Sequence, residues 1–132
     1  MQPQDLLFAK THEWVHVDRS AGQAVATVGI SHFAVEALTD LVYLELPATG
    51  RQVKAGESIG DIESVKAVSD LYSPVSGEIV AVNNTLPDQL SLLNDDPYGD
   101  AWIVKIKLSD EAYLKNLLTH AAYEKQCAAE GH

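Results

Sequence analysis

Two Gly-Glu pairs, Gly56-Glu57 and Gly77-Glu78, stand on either side of Lys66, ten residues after the first glycine and eleven before the second. Each pair leads into an apolar run that reads as a strand, over 58–63 and 77–82, and a further strand candidate at 68–72 is closed by Ser73-Pro74. One strand running into Lys66 and another running out of it put this lysine at the tip of a hairpin. A hairpin tip is exposed and tolerates attachment. An enzyme that modifies a lysine needs that exposure, because it has to enclose the amine in its own active site. The competing reading is an ordinary solvated lysine at a turn.

The rest of the chain has the same texture of short strands and turn residues. Strands are expected over 13–17, 23–30, 41–46 and 102–108. In 41–46, Val42, Leu44 and Leu46 alternate with Tyr43 and Glu45; in 102–108, Trp102, Val104, Ile106 and Leu108 point inward and Lys105 and Lys107 outward. That period of two is the mark of a half-buried strand. Asp18-Arg19-Ser20-Ala21-Gly22 reads as a polar turn, and Pro47 and Gly50 end the strand before them. Helices are expected at the periphery. Ser31 caps a short one through Ala37. Ser109 caps a second, with Asp110 and Glu111 at its positive end and Leu114, Leu117 and Leu118 on one face. Residues 120–129 continue as a further helix, and 83–94 form a loop with one helical turn. No linker or low-complexity segment interrupts the chain. The expectation is a single mainly β domain over 1–132 with a C-terminal helical extension at about 109–129.

Composition narrows the chemistry. With 132 residues, 46% of them hydrophobic, the chain supports one modest core. Nine lysines and arginines against nineteen aspartates and glutamates leave a net charge of −10. Phosphate backbones repel such a surface, so nucleic acid is not an expected partner. Proteins with basic docking faces are, although acidity also serves solubility. Cys127 is the only cysteine, so no internal disulfide can form, and it reads as a packing or surface thiol. No apolar run has the length of a membrane span, and residues 1–10 have neither a signal peptide's apolar core nor a transit peptide's arginines. A soluble cytoplasmic protein is expected, with a mature organellar form left open. His12, His16, His32, His120 and His132 form no compact cluster with metal-ligand spacing. There is no phosphate-binding glycine loop and no nucleophile elbow. Trp14 and Trp102 read as core residues. The chain is therefore expected to hold no metal and no catalytic group of its own.

Against this background Glu63-Ser64-Val65-Lys66-Ala67, followed by Ser69-Asp70 and Ser73-Pro74-Val75-Ser76-Gly77-Glu78, resembles the lipoyl-attachment region of glycine cleavage H proteins. Thr11-His12-Glu13-Trp14-Val15 resembles the family's N-terminal motif. Val28-Gly29-Ile30, residues 42–47, Pro97-Tyr98 and Trp102-Ile103-Val104-Lys105-Ile106 are similar in order and spacing, so the likeness spans about residues 8–127. Biotin carriers use the same hairpin idea but have Met-Lys-Met at the tip, where this chain has Val65-Lys66-Ala67. The departures are local: Thr39 and Ala101 stand where glycine is common in the family, and 87–91 lacks the usual glycine-rich spelling.

The resemblance implies a lipoyl-domain-like flattened barrel or sandwich with short peripheral and C-terminal helices. It implies lipoate in amide linkage to Lys66, attached by a lipoate ligase or lipoyl transferase. The partners would be a pyridoxal-phosphate-dependent glycine decarboxylase that loads an aminomethyl group, a tetrahydrofolate-dependent aminomethyltransferase that removes it, and dihydrolipoyl dehydrogenase, which takes the electrons. The protein would be a carrier rather than an enzyme, raising the arm's effective concentration at successive active sites. Glu13, Thr11 and Asp70 match arm-contacting positions of the family. A carboxylate at Glu13 would suit a cationic aminomethyl group, while each of the three is also open to a plain turn or strand-end role. Two other readings stay open. One is a lipoyl relay or storage protein that donates lipoyl groups to other complexes. The other is a stand-alone enzyme using Glu13, His12 and Asp70 as acid–base groups, which no pocket motif supports.

Overall fold

The computed structural model describes residues 2–19, 22–110 and 112–130. Among them run ten strands: β1 (Leu7–Phe8), β2 (Glu13–Asp18), β3 (Val25–Ile30), β4 (Leu41–Glu45), β5 (Gln52–Val53), β6 (Ser58–Ser64), β7 (Val68–Tyr72), β8 (Ser76–Val82), β9 (Val104–Asp110) and β10 (Leu118–Thr119). Three helices accompany them: α1 (His32–Leu38), α2 (Leu92–Asp95) and α3 (His120–Glu130). The strands form two antiparallel sheets. The larger has the order β10-β1-β2-β3-β9-β8-β5 and the smaller the order β4-β6-β7. Antiparallel sheets can bury one face and wet the other. The buried faces meet in one core: Val15, Val28, Ile79 and Ile106 from the larger sheet against Leu44, Ile62 and Leu71 from the smaller. The expected mainly β, lipoyl-domain-like fold is therefore the one observed. No helix among the described residues is long and apolar enough to cross a membrane.

A second, smaller core lies under α3. Leu6, Phe8, Trp14 and Tyr123 are buried together, with the Phe8 and Tyr123 rings stacked at 4.4 Å. Trp14 donates its Nε1–H to the Pro97 carbonyl at 2.8 Å, which satisfies the one polar atom of a fully buried indole. Trp102 is only half-buried; it precedes β9, and the Lys105 ammonium lies 5.0 Å from its ring centroid.

Several local expectations change in three dimensions. Val42 is not turned inward: the β4–β6 register shifts between Leu41 and Tyr43, and Val42 is 55% exposed. The extra residue of a bulge breaks the alternation that the sequence pattern carries. Ser109 caps no helix, because β9 continues through Asp110 against β8 and a 3-10 turn, Ala112–Asn116, follows. Leu114 and Leu117 then pack on the main core while Leu118, in β10, packs on the second. The loop at 83–94 contains a 3-10 turn, Leu86–Asp88, and the start of α2. Ser20 and Ala21 of the expected turn, Glu111 of the expected helix start, and His132 lie outside the described residues.

The two glycines of the Gly-Glu pairs have different jobs. Gly56 sits at φ 89° in the turn before β6, a conformation that costs glycine nothing. Gly77 lies on β8 so close to β9 that a Cβ there would stand 2.0 Å from the Lys107 carbonyl oxygen. Their matched spelling is thus a coincidence of a left-handed turn and a close strand approach.

Candidate functional site

The lysine picked out by its flanks does sit at a hairpin tip. β6 ends at Ser64, β7 begins at Val68, and Val65, Lys66 and Ala67 between them are all exposed. Ser64 closes the turn. Its backbone N–H donates to the Ala67 carbonyl at 2.8 Å, its Oγ accepts from the Ala67 N–H at 3.1 Å, and the same hydroxyl lies 3.2 Å from the Ala67 carbonyl. A hydroxyl residue can hydrogen-bond the neighbouring backbone in this way. The Val65 N–H is held by the Asp40 carbonyl at 2.9 Å, so the tip is tied to the segment between α1 and β4. The lysine itself points into solvent from a rigid base.

A cavity of about 150 Å³ opens beside the same hairpin. Ser69, Asp70 and Leu71 of β7 form one wall, Ile62 of β6 another, and Phe33, Ala34, Ala37 and Leu38 of α1 a third. Thr11, His12 and Glu13 close it from the β1–β2 turn. The turn is fixed by Ala9 N–H to Glu13 O at 2.8 Å, His12 N–H to Ala9 O at 2.9 Å, and Ser31 N–H to His12 O at 2.9 Å. The last of these joins it to the N-cap of α1, where Ser31 Oγ accepts from the Ala34 N–H at 3.2 Å as the sequence predicts. Thus all three residues marked beside Lys66, namely Thr11, Glu13 and Asp70, line one cavity, although 59 residues separate Glu13 from its partner Tyr72, two residues after Asp70.

Glu13 is the unusual group. It is 2% exposed, not a surface charge at a strand start. Its carboxylate accepts from the Thr11 hydroxyl and from the Tyr72 N–H at 3.2 Å. Burial pushes its pKa up to about 7, and the bonds from Thr11 and Tyr72 offset only part of that rise. Near neutral pH such a carboxyl is divided between its two forms. It can keep its proton, or surrender it when a cation comes to lie in the cavity. Asp70 is exposed and accepts from the Tyr72 hydroxyl at 3.3 Å. His12 shares the cavity wall, but its nitrogens face elsewhere, Nδ1 2.6 Å from the Tyr123 hydroxyl and Nε2 3.3 Å from Glu130. An acid–base set of Glu13, His12 and Asp70 is therefore not assembled.

Phe33 and Tyr72 belong to the site without having been marked by sequence. Tyr72 could have been found as the strand neighbour of Asp70; Phe33 carries no signal beyond being an apolar residue on a short helix. A wider cleft of about 540 Å³ on another side of α1 is lined by Val35, Thr39, Leu90 and the carboxylates Glu36 and Asp40. Both carboxylates are exposed, so that cleft lacks the buried ionisable group of the smaller cavity.

Comparison with known proteins places these features in a family context. Residues 6–130 match the family described as Glycine cleavage H-protein. A glycine cleavage system H protein of Rhodopirellula baltica is 54% identical over 129 residues, covering 98% of this chain and 97% of the relative. One from Thermotoga maritima is 49% identical, covering 93% and 96% respectively. The crystal structure of a glycine cleavage system H protein from Mycobacterium marinum superposes with a TM-score of 0.86 at 40% identity, covering 96% of this chain and 99% of that one.

Proposed function

The chain belongs to the glycine cleavage H-protein family, and from that premise we propose that it is the carrier component of the glycine cleavage system, with lipoate in amide linkage to Lys66. The observation that carries this reading is the exposed, backbone-clamped hairpin tip beside a cavity with a buried carboxyl. The residues present fit the group. Asp70 is four residues from Lys66, at most about 13 Å even for an extended strand at roughly 3.3 Å per residue, so a lysine side chain lengthened by an acyl chain would be long enough to reach the cavity. The apolar wall of Phe33, Ala34, Ala37, Leu38 and Ile62 suits an alkyl chain and sulfur atoms, and Thr11, Glu13 and Asp70 supply polar atoms for its end.

When bound, the group supplies a dithiolane that takes up an aminomethyl unit and electrons, while the hard chemistry belongs to partner enzymes. The chain's own residues bind, orient and exclude water. Ser64 and the Asp40 carbonyl keep the tip rigid, so that the attachment point is presented in one geometry. The cavity removes a guest from solvent. Toward a cationic cargo on that group Glu13 would serve as a carboxylate, giving its proton to water, with Thr11 and the Tyr72 N–H holding the charge. The partners in this reading are the pyridoxal-phosphate-dependent decarboxylase, the tetrahydrofolate-dependent aminomethyltransferase, dihydrolipoyl dehydrogenase and a lipoate ligase or lipoyl transferase, with 1–132 acting as a single carrier domain in the cytoplasm.

Co-expression with a lipoate ligase should add one lipoyl group per chain by intact mass, mapped to Lys66. Lys66→Arg should fold and take up none, because a guanidinium is a poor acyl acceptor. The modified protein should support glycine-dependent carbon dioxide release when the three partner enzymes are added. Undiminished lipoylation of Lys66→Arg would sink the site assignment, and failure of the loaded carrier in that assay would sink its role in glycine cleavage.

A further inference from the structure

The chain path brings a histidine against two metal-ligating helix side chains more than a hundred residues away in sequence. His12 lies in the β1–β2 turn, and Cys127 and Glu130 lie on α3; one donor atom from each falls within 4.8 Å of the others. Tyr123, Cys127 and Glu130 follow one another at four and three residues along the helix, the spacing that stacks side chains on one face. That face looks at the histidine. From this arrangement we propose that His12, Cys127 and Glu130 form a binding site for a zinc-class divalent cation that ties α3 to the Thr11–Glu13 turn.

The geometry fits four-coordinate zinc. His12 Nε2 and Glu130 Oε2 are 3.3 Å apart. Two ligands at about 2.0–2.2 Å from a tetrahedral ion stand about 3.4 Å apart. Glu130 is exposed and Cys127 half-buried, and the Cys127 thiol, which contacts the Tyr123 hydroxyl, turns from it to join them. Water completes the fourth position. The second imidazole nitrogen also has the partner such a histidine requires. Nδ1 lies 2.6 Å from the Tyr123 hydroxyl, which in turn contacts Ser31 Oγ at 2.5 Å. A ligating histidine commonly gives its other N–H to an oxygen that fixes tautomer and ring orientation, and stacking on Phe33 at 5.2 Å holds the ring from the side. Imidazole, thiol and a single carboxylate suit zinc or cobalt rather than magnesium or calcium, which take oxygen ligands. The balance of the step is simple: the thiol proton leaves to water as the thiolate–metal bond forms, with no change of oxidation state. The site stands apart from acylation of Lys66, but its histidine separates Thr11 from Glu13, so an occupied site braces the turn that closes the cavity.

The test uses the full, untagged chain kept reduced, titrated with cobalt(II) and then zinc(II). One cobalt ion per chain should bind with a sulfur-to-cobalt charge-transfer band in the near ultraviolet, and zinc should displace it. Cys127→Ser should abolish that band, and Glu130→Gln should weaken zinc binding at least tenfold. Both positions are at least partly exposed, so both variants should keep the parent's circular dichroism. Tyr123→Phe should weaken binding while leaving all three ligands in place. Zinc should raise Tm by a few degrees in the parent and not in Cys127→Ser. Absence of the thiolate band, or equal zinc affinity in the parent, Cys127→Ser and Glu130→Gln, would overturn the proposal and assign any binding to other histidines.

Discussion

Glu13 shows how one buried group links stability to pH. Its carboxyl is raised from 4.5 to about 7 chiefly by burial. Between those values the folded chain holds a proton that the unfolded chain has released. Stability therefore falls as pH rises through that window and is level on either side, the reverse of a salt-bridged carboxylate. Glu13→Gln, neutral at every pH and nearly the same shape, escapes this loss. Its stability relative to the parent should climb between pH 4.5 and 7. The gain above pH 7 is on the order of 3 kcal/mol at about 1.4 kcal/mol per tenfold change in proton affinity, reduced by whatever the amide loses against the Tyr72 N–H. Urea unfolding of both proteins from pH 4 to 8 measures it, and a difference that stays constant across that range would reject a raised Glu13. On the proposed carrier reading, a cationic guest would displace this same proton, and docking of an aminomethylated arm should then release protons near neutral pH.

At the scale of elements, α1 joins the hairpin tip to the cavity and ends in strain. Its N-terminus is well made, capped by Ser31. Its C-cap, Thr39, has φ 63° and ψ −125°. A β-branched residue there is a genuine outlier. Backbone conformations of this kind cost about 1–3 kcal/mol. Glycine would relieve them, while giving back about 0.5–1 kcal/mol through the unfolded chain's greater freedom. Thr39→Gly should thus stabilise the protein by about 1 kcal/mol, read as a higher urea midpoint with an unchanged slope. A lower midpoint would show that neighbouring contacts hold Thr39 without strain. Thr39 directly precedes Asp40, whose carbonyl anchors the tip.

For the whole molecule, charge is the property that partners meet first. The net charge is −10, and part of it is organised: Glu45, Asp61 and Asp70 lie in register across β4, β6 and β7, the sheet that carries Lys66. Like charges opposite one another weaken a sheet, so this row has a cost for folding and creates a negative face beside the Lys66 tip. Exposed charges steer encounter, and steering fades once the screening length falls to about 10 Å at roughly 0.1 M salt. The association rate with the glycine decarboxylase should drop as salt rises, with dissociation changing much less. Stopped-flow rates that stay flat from low to high salt would leave acidity as a solubility feature alone.

Much was legible in residue order because it depends on neighbours. Period-two alternation, turn residues and the Ser31 cap report local backbone chemistry, and they located β2, β3, β6, β7 and β8 to within a residue or two. The hairpin tip at Lys66 follows from the two strands that flank it. What lay beyond the sequence depends on the path of the chain. Burial of Glu13 is produced by α1 and by a strand 59 residues away, and only their packing turns a charged residue at a strand start into a carboxyl with a pKa of about 7. The Val42 bulge arises from β4 pairing with β6, and the parting of Leu114 and Leu117 from Leu118 arises from two cores meeting one short segment. His12, Cys127 and Glu130 carry no shared pattern, because more than a hundred residues lie between the turn and the helix that face each other. Local propensity acts over a few bonds, whereas desolvation and the meeting of side chains are set by surfaces that exist only once the sheets have closed.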